Sequence, residues 1–268
     1  MNILVCVKQI PETGTGELSS RTRRVVRGEG RQVINPFDLY AMEAAASVRD
    51  GNPETRVIAV TMGTAGALSI LRDCIALGAE TGYLICDERL AGSDVRGTAQ
   101  ALAAAVPVIE EREGLHFDAV FTGAKTTDGA TSMLGPELAQ YMGAAQVTYA
   151  LRCQEREDGL YVEKEDDSGN RIYRMPYPCL VTYTKASFIT RLPLIARILD
   201  AQQMELPVLT ADDLPGLDPG VIGEEGAAAE VTDVEYRKLK KESQIIEDAD
   251  VARGTVTLTQ MLSAAQII

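Results

Sequence analysis

Short apolar runs alternate with segments in which apolar residues recur every third or fourth position, and this alternation organises the first 150 residues. Asn2–Val7 is one such run, and Arg56–Met62, Gly82–Cys86 and Asp118–Thr122 are others. Continuous apolarity over about four to eight residues marks a strand buried on both faces, as in a parallel sheet. Helical patterns lie between them. Asn35-Pro36 opens one, since asparagine is a favoured N-cap, proline fits the first turn, and Leu39–Val48 is rich in helix formers. After Gly63, Leu68, Leu71 and Ile75 share one face of a second helix. Asp94–Glu111 reads as an alanine-rich third helix and Leu134–Met142 as a fourth, with Gln146–Tyr149 beginning another strand. The alternation predicts an α/β fold: a mostly parallel, doubly wound, Rossmann-like sheet with helices on both faces.

Periodicity then changes. Over residues 151–183, short strand-like pieces (Tyr161–Lys164, Arg171–Arg174) flank the polar turn Asp166–Asn170. They predict an antiparallel hairpin added to the sheet, ending in the apolar strand Cys179–Tyr183. Residues 203–232 are rich in Pro, Gly and acid, and Thr255–Ile268 carries enough Leu, Met, Ile and Ala for a terminal amphipathic helix. The reading is therefore one α/β domain over residues 1–202, including the hairpin, then a linker and C-terminal arm over 203–268. The polar stretch from Lys8 to Gln32 is long for a loop, and Arg24–Arg27 followed by Gly28-Glu-Gly30 suits a small hairpin within it.

Composition narrows the function. The 268 residues carry a formal charge of −13, which opposes binding to nucleic acid or to an anionic membrane surface. No apolar run approaches the ~20 residues of a membrane span. The start reads straight into a strand without a basic leader, so a cytoplasmic protein is expected. Five scattered cysteines (Cys6, Cys74, Cys86, Cys153, Cys179) lack metal-ligand spacing and read as small buried thiols. With His116 as the single histidine, a multi-histidine metal site is impossible, and no metal is expected.

Ligands of open parallel sheets sit beyond the carboxyl ends of strands, where strand order reverses. Loops fall there after Val7 (Lys8–Pro11), after Thr61 (Met62–Thr64) and after Thr122 (Gly123–Pro136). The third holds Gly123, Gly129 and Gly135, where backbone can approach a ligand. It also holds the hydroxyls of Thr126, Thr127, Thr131 and Ser132 just ahead of a helix whose first amides can hold a phosphate. The same residues are ordinary in turns, so the match is to a chemistry and not to a strict motif. No P-loop exists, and Gly14-Thr-Gly16 has Ser19 at its third glycine position, which weakens kinase and dinucleotide-dehydrogenase readings.

Several ordered landmarks resemble the electron-transfer flavoprotein beta-subunit family, which includes the FixA-like proteins. They are Ile3–Pro11, Ile34–Asp38 with the helix Ala41–Ala46, Val57–Gly63, Ala76–Glu80 and Phe117–Gly123, followed by Asp128-Gly129 leading to Gly135-Pro136. Pro178–Thr182, Arg191–Pro193 and Leu209–Leu214 complete the set. The resemblance implies an adenine-nucleotide-binding α/β domain paired with an alpha subunit that holds most of an FAD site, and AMP or a second FAD in this chain. It places the adenylate contacts at Cys6, at Asn35, Pro36, Phe37 and Asp38, at Met62, and along the loop. There they are Ala124, Lys125, Thr126, Thr127, Asp128, Gly129, Ala130, Thr131, Ser132, Met133, Leu134 and Gly135. It also implies a segment that docks a partner dehydrogenase, corresponding to Leu192–Ala196 with Ile195 as the anchor. The other reading of Ile195 is the buried face of a helix through Ile198 and Leu199.

These readings describe an electron carrier subunit and not a stand-alone catalyst, with no catalytic residue of its own. Lys8, Arg191 and Arg197 are charges that can meet a phosphate or flavin, or can be solvated surface charges. The rivals are an adenine-nucleotide module of the universal-stress-protein kind, whose members lack the hairpin and arm, and an adenylating enzyme, whose activating loop is missing here.

Overall fold

The computed structural model describes residues 1–12, 17–18, 25–26, 31–185, 189–229 and 251–268. They form two compact units, Met1–Thr232 and Asp233–Ile268. In the first unit, β1 (Asn2–Cys6) leads to two small antiparallel ribbons. One pairs β2 (Gln9–Pro11) with β5 (Gln32–Ile34), and the other pairs β3 (Glu17–Leu18) with β4 (Val25–Val26). The hairpin read around Arg24–Gly30 lies largely outside the described residues.

Helix α1 (Pro36–Gly51) follows, then β6 (Arg56–Met62), α2 (Leu68–Leu77), β7 (Thr81–Ile85), α3 (Val95–Glu113) and β8 (Ala119–Gly123). Next come α4 (Leu134–Met142), β9 (Ala145–Arg156), β10 (Gly159–Asp166), β11 (Gly169–Met175) and β12 (Cys179–Tyr183). The chain continues through α5 (Ile195–Gln203), β13 (Val208–Leu209) and the short α6 (Gly223–Gly226). In the second unit α7 (Val251–Ala264) carries threonines 255, 257 and 259, whose hydroxyls each donate to the carbonyl four residues back. Among the described residues, no helix is long and apolar enough to cross a membrane.

Nine strands form one sheet in the order β11-β10-β9-β12-β8-β1-β6-β7-β13. Every pair from β9 to β13 across the sheet is parallel; only β9–β10 and β10–β11 are antiparallel. The central strands are buried on both sides. Residues Ile3, Val5, Val57 and Ala59 pack with α1 and α2 on one face, and Leu4, Ile58, Val60 and Val120 pack with α3 and α4 on the other. This is the doubly wound α/β sheet that the apolar runs imply, with the hairpin at one edge.

Two features depart from the sequence reading. Cys179–Tyr183 does not close the hairpin; it lies between β8 and β9 as a fully buried parallel strand, Leu180 opposite Val120. Its unbroken apolar character suits an interior position better than an edge. Residues 203–229, read as a linker and the start of an arm, belong to the first unit: β13 pairs with β7, and Leu206, Leu209, Leu214, Val221 and Ile222 are buried. Gly97 of α3 permits this, since a Cβ there would lie 2.6 Å from the carbonyl oxygen of Val221.

Candidate functional site

Strand β1 leads through α1 to β6 on one side, whereas β7 returns through α3 to β8 on the other. Strand order therefore reverses between β1 and β8, the switch point beyond whose carboxyl strand ends open α/β sheets form their ligand crevice. In register, Cys6 lies opposite Thr122 and Val60, so the loops after β1, β6 and β8 start side by side.

The first turn of α1 ties two of these loops together. Asp38 Oδ2 accepts the Lys8 N–H at 2.8 Å, and its Oδ1 accepts the Gly123 N–H at 3.0 Å. The Asn35 amide donates to the Lys125 carbonyl at 2.9 Å and accepts from the Thr127 N–H at 3.3 Å. Asn35 thus stands at the N-cap position but makes no side-chain cap; its amide is spent on the distant loop. Burial pushes the Asp38 carboxyl up to about 7, against the pull of the Lys8 and Gly123 N–H groups, the Asn35 amide and the Lys8 charge. A second tie crosses higher up, where Lys8 Nζ lies 2.8 Å from Asp128 Oδ2. The loop also rests on β12: Ala124 N–H donates to the Tyr183 carbonyl at 2.7 Å, and Gly135 leaves no room for a Cβ against Thr182 Cγ2.

The residues named from sequence separate into two sets. Cys6, Asn35, Asp38, Ala124 and Gly135 are buried, and burial first, then the nearby Asp38, raises the Cys6 thiol far above its usual range. Lys125, Thr127, Asp128, Gly129, Ala130, Thr131 and Met133 are exposed, and Thr126, Ser132 and Leu134 are half-buried. Met62 ends β6 half-buried. Pro36 is exposed, and the half-buried Phe37 ring lies 5.3 Å from the Lys125 ammonium. Ala130 and Ser132 adopt left-handed backbone, φ 51° and 59°, which costs energy in a residue with a Cβ. The rim is thus an exposed, hydroxyl-bearing loop that runs into α4, whose first amides have no partner within the helix.

Two of the charges read as phosphate partners are engaged elsewhere. Arg191 chelates Glu43 and Asp50 of α1: Nε reaches Glu43 Oε2 at 2.9 Å and Nη2 reaches Asp50 Oδ2 at 2.8 Å. Arg197 donates to the Ala79 carbonyl, ahead of β7 and so at the opposite end of the sheet. Only Lys8 stays at the crevice. Sequence reasoning passed over Tyr149, an exposed tyrosine at φ 60° whose N–H donates to Thr182 Oγ1 at 3.0 Å. Nothing in its local sequence marks it, because the partner is on another strand. Ile195 is 77% exposed and Leu199 is exposed, so they do not form the buried face of α5. Among the described residues, no group of three or more His, Cys, Asp or Glu is placed to hold a metal ion.

Fold and loops define a doubly wound α/β protein whose crevice opens between β1 and β8. Residues 22–214 match the family model described as the electron transfer flavoprotein domain. The chain is 33% identical over 232 residues to the electron transfer flavoprotein subunit beta of Megasphaera elsdenii, covering 86% of each. It is 31% identical to that of Thermoanaerobacterium thermosaccharolyticum, over 100% of each. It is also 35% identical to protein FixA of Azorhizobium caulinodans, over 80% of this chain and 76% of that protein. The chain belongs to the electron transfer flavoprotein family, a family of electron transport.

Proposed function

We propose that the chain works in the cytoplasm as the beta subunit of a heterodimeric electron-transfer flavoprotein. In this reading an alpha subunit holds most of an FAD site, and AMP or a second FAD binds in the crevice between β1 and β8. The observation that carries it is the largely exposed loop over residues 125–133, tied to the start of α1 beside the point where strand order reverses. The donors fit an adenine nucleotide. Hydroxyls of Thr126, Thr127, Thr131 and Ser132 and the first amides of α4 suit a phosphate, while Phe37 and Met62 supply apolar surface for a base. A flavin supplies the electron chemistry; this chain supplies binding, orientation and shielding from water.

Two surfaces complete the reading. Leu192, Leu194 and Ile195 are 87%, 66% and 77% exposed, and we assign them to docking of a partner dehydrogenase. The unit Asp233–Ile268, with its amphipathic α7, is assigned as the arm that holds the alpha subunit.

Coexpression with an electron-transfer-flavoprotein alpha chain, denaturation of the purified complex and quantification of released nucleotide test the proposal. About one FAD and one AMP per heterodimer fit a simple carrier; about two FAD and no AMP place flavin in this chain as well. Failure to form a complex or to release nucleotide refutes it.

A further inference from the structure

We propose that Asn35 and Asp38 act on the bound nucleotide through the loops they hold and do not touch it, which makes them positioning residues. The inference rests on the nucleotide reading above and divides the Asn35–Asp38 segment by role.

The division starts from helical geometry. Positions three apart lie on one face of a helix start, so Asn35 and Asp38 point together while Pro36 and Phe37 point elsewhere. The first pair faces inward: Asn35 is 0% exposed and Asp38 4%. Pro36, in contrast, is exposed, and Phe37 is half-buried at the rim.

The Asn35 amide donates to the Lys125 carbonyl, and its oxygen accepts the Thr127 N–H. Each Asp38 oxygen already takes a backbone N–H, one from the end of each strand flanking the crevice. A fully buried amide already bonded through nitrogen and oxygen to the distant loop has little left to offer a ligand. Four main-chain groups, the Lys8, Gly123 and Thr127 N–H and the Lys125 C=O, are thereby fixed to one helical turn. The Asn35 N–H adds a fifth tie, to the Lys8 carbonyl at 2.9 Å. The two side chains therefore set the distance between the loops, and so the width of the crevice. Contacts in this segment fall to the exposed Pro36 and the half-buried Phe37.

A comparison of ligands in the heterodimer tests this. AMP, adenosine (no phosphate) and IMP (altered base) are titrated calorimetrically into wild type, Asn35→Ala and Asp38→Asn complexes stripped of nucleotide. Positioning predicts that all three affinities fall together, by about tenfold or more, with the AMP-to-adenosine and AMP-to-IMP ratios kept. A ratio that collapses in one variant means that its side chain touches the group the analogue lacks, and overturns the proposal, as does wild-type affinity in both variants. Hydrogen exchange on the wild-type complex decides the matter even if the variants fail to fold. The Lys8, Gly123 and Thr127 amides must be slow before nucleotide is added and unchanged after it, whether the release assay returns AMP or FAD. New protection at these amides on binding overturns the proposal. A wild-type complex that takes up neither AMP nor FAD refutes the nucleotide reading itself, an outcome distinct from binding with collapsed ratios.

Discussion

Oδ1 of Asp38 accepts the Gly123 N–H at 3.0 Å and lies so near that a Cβ on Gly123 would clash with it. The Phe37 carbonyl carbon would lie 2.8 Å from the same Cβ. Glycine is needed here for close approach of α1 to the end of β8, since none of the chain's positive-φ positions is Gly123. Gly123→Ala should therefore push α1 off the strand, at a cost of about 1–3 kcal/mol typical of overpacking. It should also abolish nucleotide retention by the complex. Urea midpoints together with released AMP or FAD measure both. Wild-type values would mean that α1 can shift without widening the crevice.

The buried Asp38 carboxyl also predicts a pH dependence. Its folded value of about 7 lies above the ordinary carboxylate value near 3.9, so between these values the folded state keeps a proton that the unfolded chain has lost. Stability from this group is fully present at low pH and is lost as pH rises toward 7. The slope is at most about 1.4 kcal/mol per pH unit for one proton. Urea unfolding at pH 5, 6, 7 and 8 should show a falling component in wild type that Asp38→Asn removes. Equal slopes in both proteins would show the carboxylate ionised throughout, with the Lys8 and Gly123 N–H groups outweighing desolvation.

Much of this fold could be read along the chain because its strands are continuous apolar runs. Arg56–Met62, Leu134–Met142 and Cys179–Tyr183 appear at the residues expected from their patterns. Pairing order could not be read that way. A buried apolar strand carries no local sign of its neighbours, so the place of β12 between β8 and β9 emerges only in three dimensions. The crevice loops were legible because they follow strands, but the orientation of their side chains was not. Asn35 has the same local signature whether it caps a helix or reaches Lys125, ninety positions away. Arg191 looked like a surface charge because its partner Glu43 is 148 residues earlier.

That Arg191–Glu43 pair sets a third expectation. Glu43 is 9% exposed and receives both the backbone N–H and the side chain of Arg191. Removing the guanidinium leaves a sheltered carboxylate short of donors, so Arg191→Met should cost about 2 kcal/mol. Adding Glu43→Gln should restore part of that loss, because the unpaired charge is then gone. Denaturation of the single and double variants forms the cycle; strictly additive losses would show that the two side chains do not depend on each other.

Ile195 should behave in the opposite way. With most of its surface in water it contributes little to folding, and Ile195→Ser should leave the unfolding midpoint within about 0.5 kcal/mol of wild type. If the segment docks a dehydrogenase, the same change should lower kcat/KM for reduction of the complex by that partner. A stable variant with an unchanged reduction rate would remove Ile195 from the docking surface.

Ala130 and Ser132 test whether strain in the loop serves binding. Each holds a left-handed backbone that glycine adopts freely, so glycine relieves about 1 kcal/mol of steric cost while adding a comparable entropy to the unfolded chain. The double variant Ala130→Gly, Ser132→Gly should therefore unfold within about 1 kcal/mol of wild type, on the stable side if strain dominates. Binding should respond differently. A loop held in one shape by its side chains has already met the ordering cost that a glycine loop must meet when nucleotide enters. AMP affinity of the complex should accordingly fall by several-fold, with faster amide exchange along residues 125–133 before AMP is added. Loss of affinity without loss of stability would tie the strained backbone to binding. Unchanged affinity would show that the strain merely follows from the path between β8 and α4.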